Sequence, residues 1–185
     1  MGRDGELSAA SDVGAPMKRT RGRYPTYTRD RLRQFGSRLK RAIHSERASV
    51  DRIEICGPVD RIPYAEGIAL PYRDAALGEV LGPLFATYWV RVTATVPDHW
   101  AGQRVELWWD SRSEGLLWLD GRSHQGLNPG RHTAILVPEA AGGETLTFHV
   151  EVACNGLFGR GDEAERRGPD PYRLIACELR RFDPE

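Results

Sequence analysis

The chain has 185 residues, and 26 Lys or Arg balance 26 Asp or Glu, so its formal net charge is zero. That length suits one well-buried core better than two full domains, and the neutral balance gives no overall pull towards nucleic acid or a membrane. Cys56, Cys154 and Cys177 are widely spaced and form no CxxC pair, which argues against a zinc site or a disulfide framework and for a reducing, cytoplasmic setting.

Residues 1–26 are rich in Gly, Ser, Ala and charge without apolar periodicity, and are expected to be a disordered tail. They lack the apolar core of a signal peptide, and no run in the chain is long and apolar enough to span a bilayer. From Thr28, a plausible N-cap, Leu32, Phe35, Leu39, Ala42 and Ile43 recur at intervals of three and four. The spacing predicts one amphipathic helix within 27–48, packed by its stripe against a domain of residues 49–185. Eleven Lys or Arg fall between Lys18 and Arg47 against two acids, Asp30 and Glu46. Such a helix could bind phosphates or an anionic surface, but no aromatic or Gly-rich nucleic-acid motif accompanies it. Neither nucleic acid nor membrane is therefore expected as a partner.

Beyond Asp51 the text turns to short strands. DRIEIC reads as a brief strand ended by Gly57-Pro58, and four prolines in 57–83 predict an extended crossing with little regular structure. In YWVRVTATVP, Val90, Val92, Ala94 and Val96 face one way and Trp89 the other, so the valines should point inward and Trp89 should meet the helix or the 57–83 crossing. RVELWWD, LLWLDG, HTAILVP, TLTFHVEVA and YRLIACELRRF follow. Six or seven strands behind one helix predict a mainly β fold, an antiparallel β-sandwich. No Gly-rich phosphate loop, HExxH or GxSxG occurs, and no cysteine sits in a nucleophile-like setting.

The densest polar and aromatic stretch is WWDSRSEGLLWLDG, residues 108–121. It places Asp110, Glu114 and Asp120 among Trp108, Trp109 and Trp118, and carboxylates beside aromatic platforms are what a sugar site uses. Solvated or capping turn carboxylates are the plainer reading, and Asp120-Gly121 is an ordinary hairpin signal. His124 and His132 flank the turn GLNPGRH and read as surface histidines, while His149 alternates outward on its strand. In EVACNGLFGRG, residues 151–161, the alternation of Leu146, Phe148, Val150 and Val152 stops at Asn155-Gly156. No second strand returns, so Asn155, Leu157 and Phe158 belong to a loop that either presents an apolar pair to a neighbour or folds back over its own sandwich.

Residues 82–127, GPLFATYWVRVTATVPDHWAGQRVELWWDSRSEGLLWLDGRSHQGL, and the later ACNGLFG, residues 153–159, together resemble the N-terminal β-sandwich of the α-mannosidases of glycoside hydrolase family 38, of cytosolic and vacuolar type. The linked features are Gly-Pro-Leu-Phe before a strand that starts with an aromatic and Trp, a Pro and Trp that close it, Trp-Asp before Glu, and Trp-x-Asp-Gly leading to Gln-Gly-Leu. The resemblance spans roughly residues 28–182.

The resemblance implies a galactose-binding-like jelly roll that packs against a catalytic domain and helps form the oligomer or the rim of the active site. In that family, zinc is held by two histidines and two aspartates of a following domain, one aspartate being the nucleophile. No counterpart of those residues lies in this chain, which ends at FDPE. The expectation is a non-catalytic, carbohydrate-associated N-terminal domain, truncated before the zinc-dependent part, with no cofactor or catalytic residue of its own. Its partners would be an α-mannosidase catalytic domain or a second copy. The docking or sugar-contact surface would draw on Trp109, Asp110, Glu114, Trp118, Asp120, Asn155, Leu157 and Phe158. The alternative is a stand-alone carbohydrate-binding module, which would bind glycans by itself.

Overall fold

Period-two alternation becomes a ladder wherever the sequence shows it. A computed structural model describes residues 24–161 and 172–184. Helix α1 spans Tyr24–Ala42. The strands follow in chain order: β1 His44–Ser49, β2 Arg52–Val59, β3 Arg73–Ala75, β4 Val80–Leu81, β5 Thr87–Thr95, β6 Val105–Asp110, β7 Glu114–Leu119, β8 Arg122–Leu127, β9 Thr133–Val137, β10 Thr145–Ala153, β11 Tyr172–Arg173 and β12 Ala176–Phe182. One short helix, α2, Tyr64–Gly67, interrupts the 57–83 crossing.

A six-stranded sheet runs β3-β2-β5-β10-β7-β8, a four-stranded sheet runs β1-β12-β6-β9, and β4 with β11 makes a small separate ladder. Every pairing is antiparallel. The core lies between the two large sheets. Val90 and Val92 of β5 and Phe148, Val150 and Val152 of β10 meet Leu107 and Trp109 of β6 and Cys177 of β12. Ala94, Val96, Trp100, Val105 and Leu179 fill one end. Each large apolar side chain buried there stabilises the fold by roughly 1.5–3 kcal/mol. This is the mainly β antiparallel sandwich expected, a jelly roll, and the valines of β5 are the inward set.

Trp89 alternates to the outer face of the six-stranded sheet and is fully buried there by the crossing. Tyr64 meets it edge-on at 5.9 Å, and a Cβ on Gly67 would come within 2.2 Å of the indole. α2 can lie this close only because residue 67 has no side chain.

Several boundaries differ from the sequence expectation. The helix begins before Thr28, at Tyr24, and ends at Ala42. Residues 44–49, expected within the helical span 27–48, instead form edge strand β1 on β12. HSERAS carries no apolar period of its own, so the open edge of β12 decides its conformation. Along α1, Leu32 and Phe35 of the stripe are exposed. The expected tail falls almost wholly on residues 1–23, outside the described residues. β2 does not stop at Gly57-Pro58. A register irregularity between Cys56 and Val59 lets the strand resume at Val59, as a bulge does where proline cannot donate to the ladder. The crossing holds α2, β3 and β4, and the described strands number twelve where six or seven were expected. Those added are short or polar: β1, β3, β4, β8 and β11.

Candidate functional site

One end of the sandwich gathers the loops after β4, β6 and β10. Cys154 pairs with the segment before β5 through two backbone bonds, Phe85 N–H to Cys154 O at 2.7 Å and Cys154 N–H to Ala86 O at 2.9 Å. After Asn155 the chain makes a 3-10 turn, Leu157–Gly159. Gly156 has φ −81°, whereas Phe158 at φ 60° and Gly159 at φ 70° take the left-handed conformation. Asn155-Gly156 therefore stops the strand without making a hairpin. A side chain rarely accepts that conformation, and here the carboxylate of Glu114 receives the Phe158 N–H at 2.8 Å.

The aromatic ring of Phe158 consequently projects into solvent, 84% exposed, while Leu157 is half-buried. The expected apolar pair is split. Phe85, 63% exposed, and Leu84, 39% exposed, lie on the adjoining segment, and Gly161 approaches both side chains. Leu77, Val80 and Ile175, also exposed, belong to the neighbouring β4–β11 region.

The other expected site residues separate. Trp109, only 2% exposed, is a core side chain whose indole N–H donates to Ser111 Oγ at 3.1 Å. It alternates inward with Val105 and Leu107, which removes it from any surface. Asp110 is half-buried and accepts the Arg112 N–H at 2.8 Å, closing a local turn. Asp120 is exposed and, with Gly121, has positive φ in the β7–β8 hairpin. Trp118 faces outward on β7, stacks on Tyr64 at 4.7 Å and donates to Glu151 Oε2 at 3.3 Å. Among the described residues, the buried Oδ1 of Asn155 has no hydrogen-bond partner. Glu114 and Phe158 are thus in contact, Trp118 stands along the same outer face as Glu114, and Trp109, Asp110 and Asp120 serve the fold.

Beside Glu114, a cleft of about 390 Å³ opens on the outer face of β7, β8 and β10. Leu116, Gly126 and Ala153 give it a low floor, and Arg61, Glu114, Asn128, Arg131 and Glu151 stand around it. The outward phase of Glu151 was readable from the β10 alternation. Arg61, Gly126, Asn128 and Arg131 were not singled out, because they lie on the crossing, in an unrecognised strand and in a turn. On the four-stranded sheet a second cleft, of about 340 Å³, includes His44, Arg104, Glu106, Trp108 and His132. Several of its polar groups are already paired, while the buried Nε of Arg104 has no hydrogen-bond partner among the described residues. His44 bonds the buried Glu106 at 2.9 Å, Arg104 pairs with the same carboxylate, and Arg180 lies 3.5 Å over the Trp108 ring.

Farther along the outer face of the six-stranded sheet, Arg91 holds Glu54 in two 2.8 Å bonds. This hydrogen bonding keeps the Glu54 carboxyl below its ordinary range. Burial, and secondly the charge of Arg91, lowers His149. Burial pushes the Tyr72 hydroxyl up to about 12. Among the described residues, no three His, Cys, Asp or Glu side chains are grouped to hold a metal.

A sequence profile described as the alpha-mannosidase jelly roll domain matches residues 48–180. The chain belongs to this family. Human alpha-mannosidase 2C1 is 41% identical over 130 residues, covering 66% of this chain and 12% of that protein. Alpha-mannosidase G of Dictyostelium discoideum is 34% identical over 137 residues, covering 70% and 13%. The match therefore spans about an eighth of these relatives' length. Among solved structures, a Ruminococcus gnavus beta-glucuronidase aligns with TM-score 0.52 and 12% identity, over 75% of this chain and 28% of that one. A Faecalibacterium prausnitzii beta-glucuronidase gives 0.50 and 18%, over 76% and 32%. At such identity these two show the sandwich fold alone. The family match bears out the resemblance read from residues 82–127 and 153–159 and excludes α1 from the matched span.

Proposed function

We propose that this chain is a non-catalytic, carbohydrate-associated domain of an α-mannosidase-like enzyme, and that it works by docking its Phe158 end against a catalytic domain. The supporting observation is the apolar patch of Phe158, Phe85 and Leu84, set on neighbouring loops and held outward by the Glu114 bond. Large apolar side chains left exposed together on adjoining loops point to an interaction site. A phenylalanine fixed in left-handed backbone has already given up part of the conformational freedom that binding would otherwise remove.

On this reading zinc and the nucleophile belong to the catalytic domain. The aromatic and carboxylate groups of residues 108–121 divide between core packing, turn closure and loop support, and leave no acid–nucleophile pair facing one substrate. A cytoplasmic setting fits the three free thiols.

The purified chain should fail to hydrolyse an aryl α-mannoside, with or without added zinc or cobalt. Turnover that disappears in Glu114→Gln or Asp110→Asn would overturn the non-catalytic assignment.

A further inference from the structure

Helix α1, Tyr24–Ala42, carries an exposed apolar stripe. With 3.6 residues per turn, Leu32, Phe35 and Leu39 fall on one arc of the helix. A stripe packed into a core would be covered, yet Leu32 is 66% exposed, Phe35 64% and Leu39 48%. Gly36, inside the same helix, is not required by packing, since a Cβ built on it would meet nothing within 4 Å. Glycine in a helix interior weakens the helix in water, so α1 gains little from its own propensity and more from what its stripe meets.

The charges around the stripe define that surface. Arg31 and Arg38 run along one border of the apolar arc and Arg29 along the other, all three exposed, while Asp30, Gln34 and Ser37 occupy the opposite side. Asp30 is the one acid in the helix, against Arg29, Arg31, Arg33, Arg38, Lys40 and Arg41, and it lies 3.9 Å from Arg33. Arginine stems lie along apolar surface while their guanidinium groups reach outward to anions. Cations on both borders of one apolar arc therefore match a flat surface that is apolar within and anionic at its face.

We propose that α1 lies on an anionic lipid bilayer, with Leu32, Phe35 and Leu39 entering the acyl boundary and Arg29, Arg31 and Arg38 at the acidic headgroups. The neutral balance of the whole chain gives no general attraction to a membrane, but the basic charge is concentrated on this element. Among the described residues no helix is long and apolar enough to cross a membrane, so the contact is with the surface. Pairing with α1 of a second copy would set arginine borders against each other with one acid to answer them. RNA would engage the arginines and leave the stripe in water. α1 precedes residues 48–180, the span matched to the alpha-mannosidase jelly roll, so the inference stands independently of catalytic-domain docking.

The test sediments the full 185-residue chain with vesicles of phosphatidylcholine and phosphatidylserine, and separately with phosphatidylcholine alone. The chain should bind the mixed vesicles, bind pure phosphatidylcholine at least about tenfold more weakly, and be released by high salt. Leu32→Ser combined with Phe35→Ser should weaken binding by at least about tenfold, as should Arg29→Gln combined with Arg31→Gln and Arg38→Gln. Both variants should keep the parent's melting temperature, since the changed side chains are exposed. The proposal is overturned if the chain does not bind the mixed vesicles, if it binds both kinds equally, if it binds single-stranded RNA but neither kind of vesicle, or if the folded Ser variant binds as the parent does.

Discussion

Glu114 and Phe158, 44 positions apart in the chain, are joined by one hydrogen bond of 2.8 Å from the Phe158 N–H to Glu114 Oε1. The bond satisfies an amide that the left-handed turn removes from the β10 ladder, and it fixes the direction in which the phenyl ring leaves the sandwich. Glu114→Ala should lower global stability by no more than about 1 kcal/mol, because neither group is in the core. Amide hydrogen exchange at Phe158 should nevertheless quicken markedly. Unchanged exchange there, or cooperative unfolding of the whole chain, would contradict this role.

A second prediction concerns the close approach of α2 to the sheet. With a Cβ 2.2 Å from Trp89, Gly67→Ala must push α2 or the indole aside. Overpacking of this kind costs on the order of 1–3 kcal/mol in urea unfolding. A change below about 0.5 kcal/mol, the range of neutral surface substitutions, would show that the crossing is not seated on Trp89.

The inner faces of β5 and β10 were legible because nine-residue strands carry several repeats of period two. Trp89 was legible for the same reason, since its phase opposes Val90 and Val92. WWD reads as one polar and aromatic cluster at the surface, whereas Val105, Leu107 and Trp109 share one phase, and that phase buries Trp109. β1 and β8 escaped notice because HSERAS and RSHQGL are polar or glycine-bearing and depend on a neighbouring strand for their conformation. Nothing local announces that positive φ falls on Phe158 and not on Asn155. That depends on Glu114, which only the tertiary fold brings within reach.

The pH dependence follows from His149. Its folded-state proton affinity is depressed from the ordinary 6.5 by burial and then by Arg91, with Tyr64 and Tyr72 packed against the ring. Below the unfolded value, the unfolded chain takes up a proton that the folded chain resists, so stability is lost as pH falls through that window. The melting temperature should decline between about pH 7 and pH 5, and His149→Phe should flatten that slope. An identical slope in the variant would assign the effect to other groups.

Thiol reactivity should distinguish the three cysteines. Burial pushes Cys154 up to about 12 and raises Cys177 further, whereas Cys56 is only half-buried. Since the thiolate is the reacting form, a neutral disulfide reagent should modify Cys56 alone in the folded chain and all three cysteines in denaturant. Rapid labelling of Cys154 under native conditions would mean that the end of β10 opens readily.

The central claim is that the Phe158 end is a docking surface, and the most direct measurement is calorimetric titration of the chain with a separately produced catalytic domain of an α-mannosidase of this family. The account predicts a saturable complex that is weakened at least about tenfold by Phe85→Ser combined with Phe158→Ser, the loss expected for truncating apolar anchors, in a variant that keeps its fold. Absence of any complex, or equal affinity in the folded double variant, would contradict it.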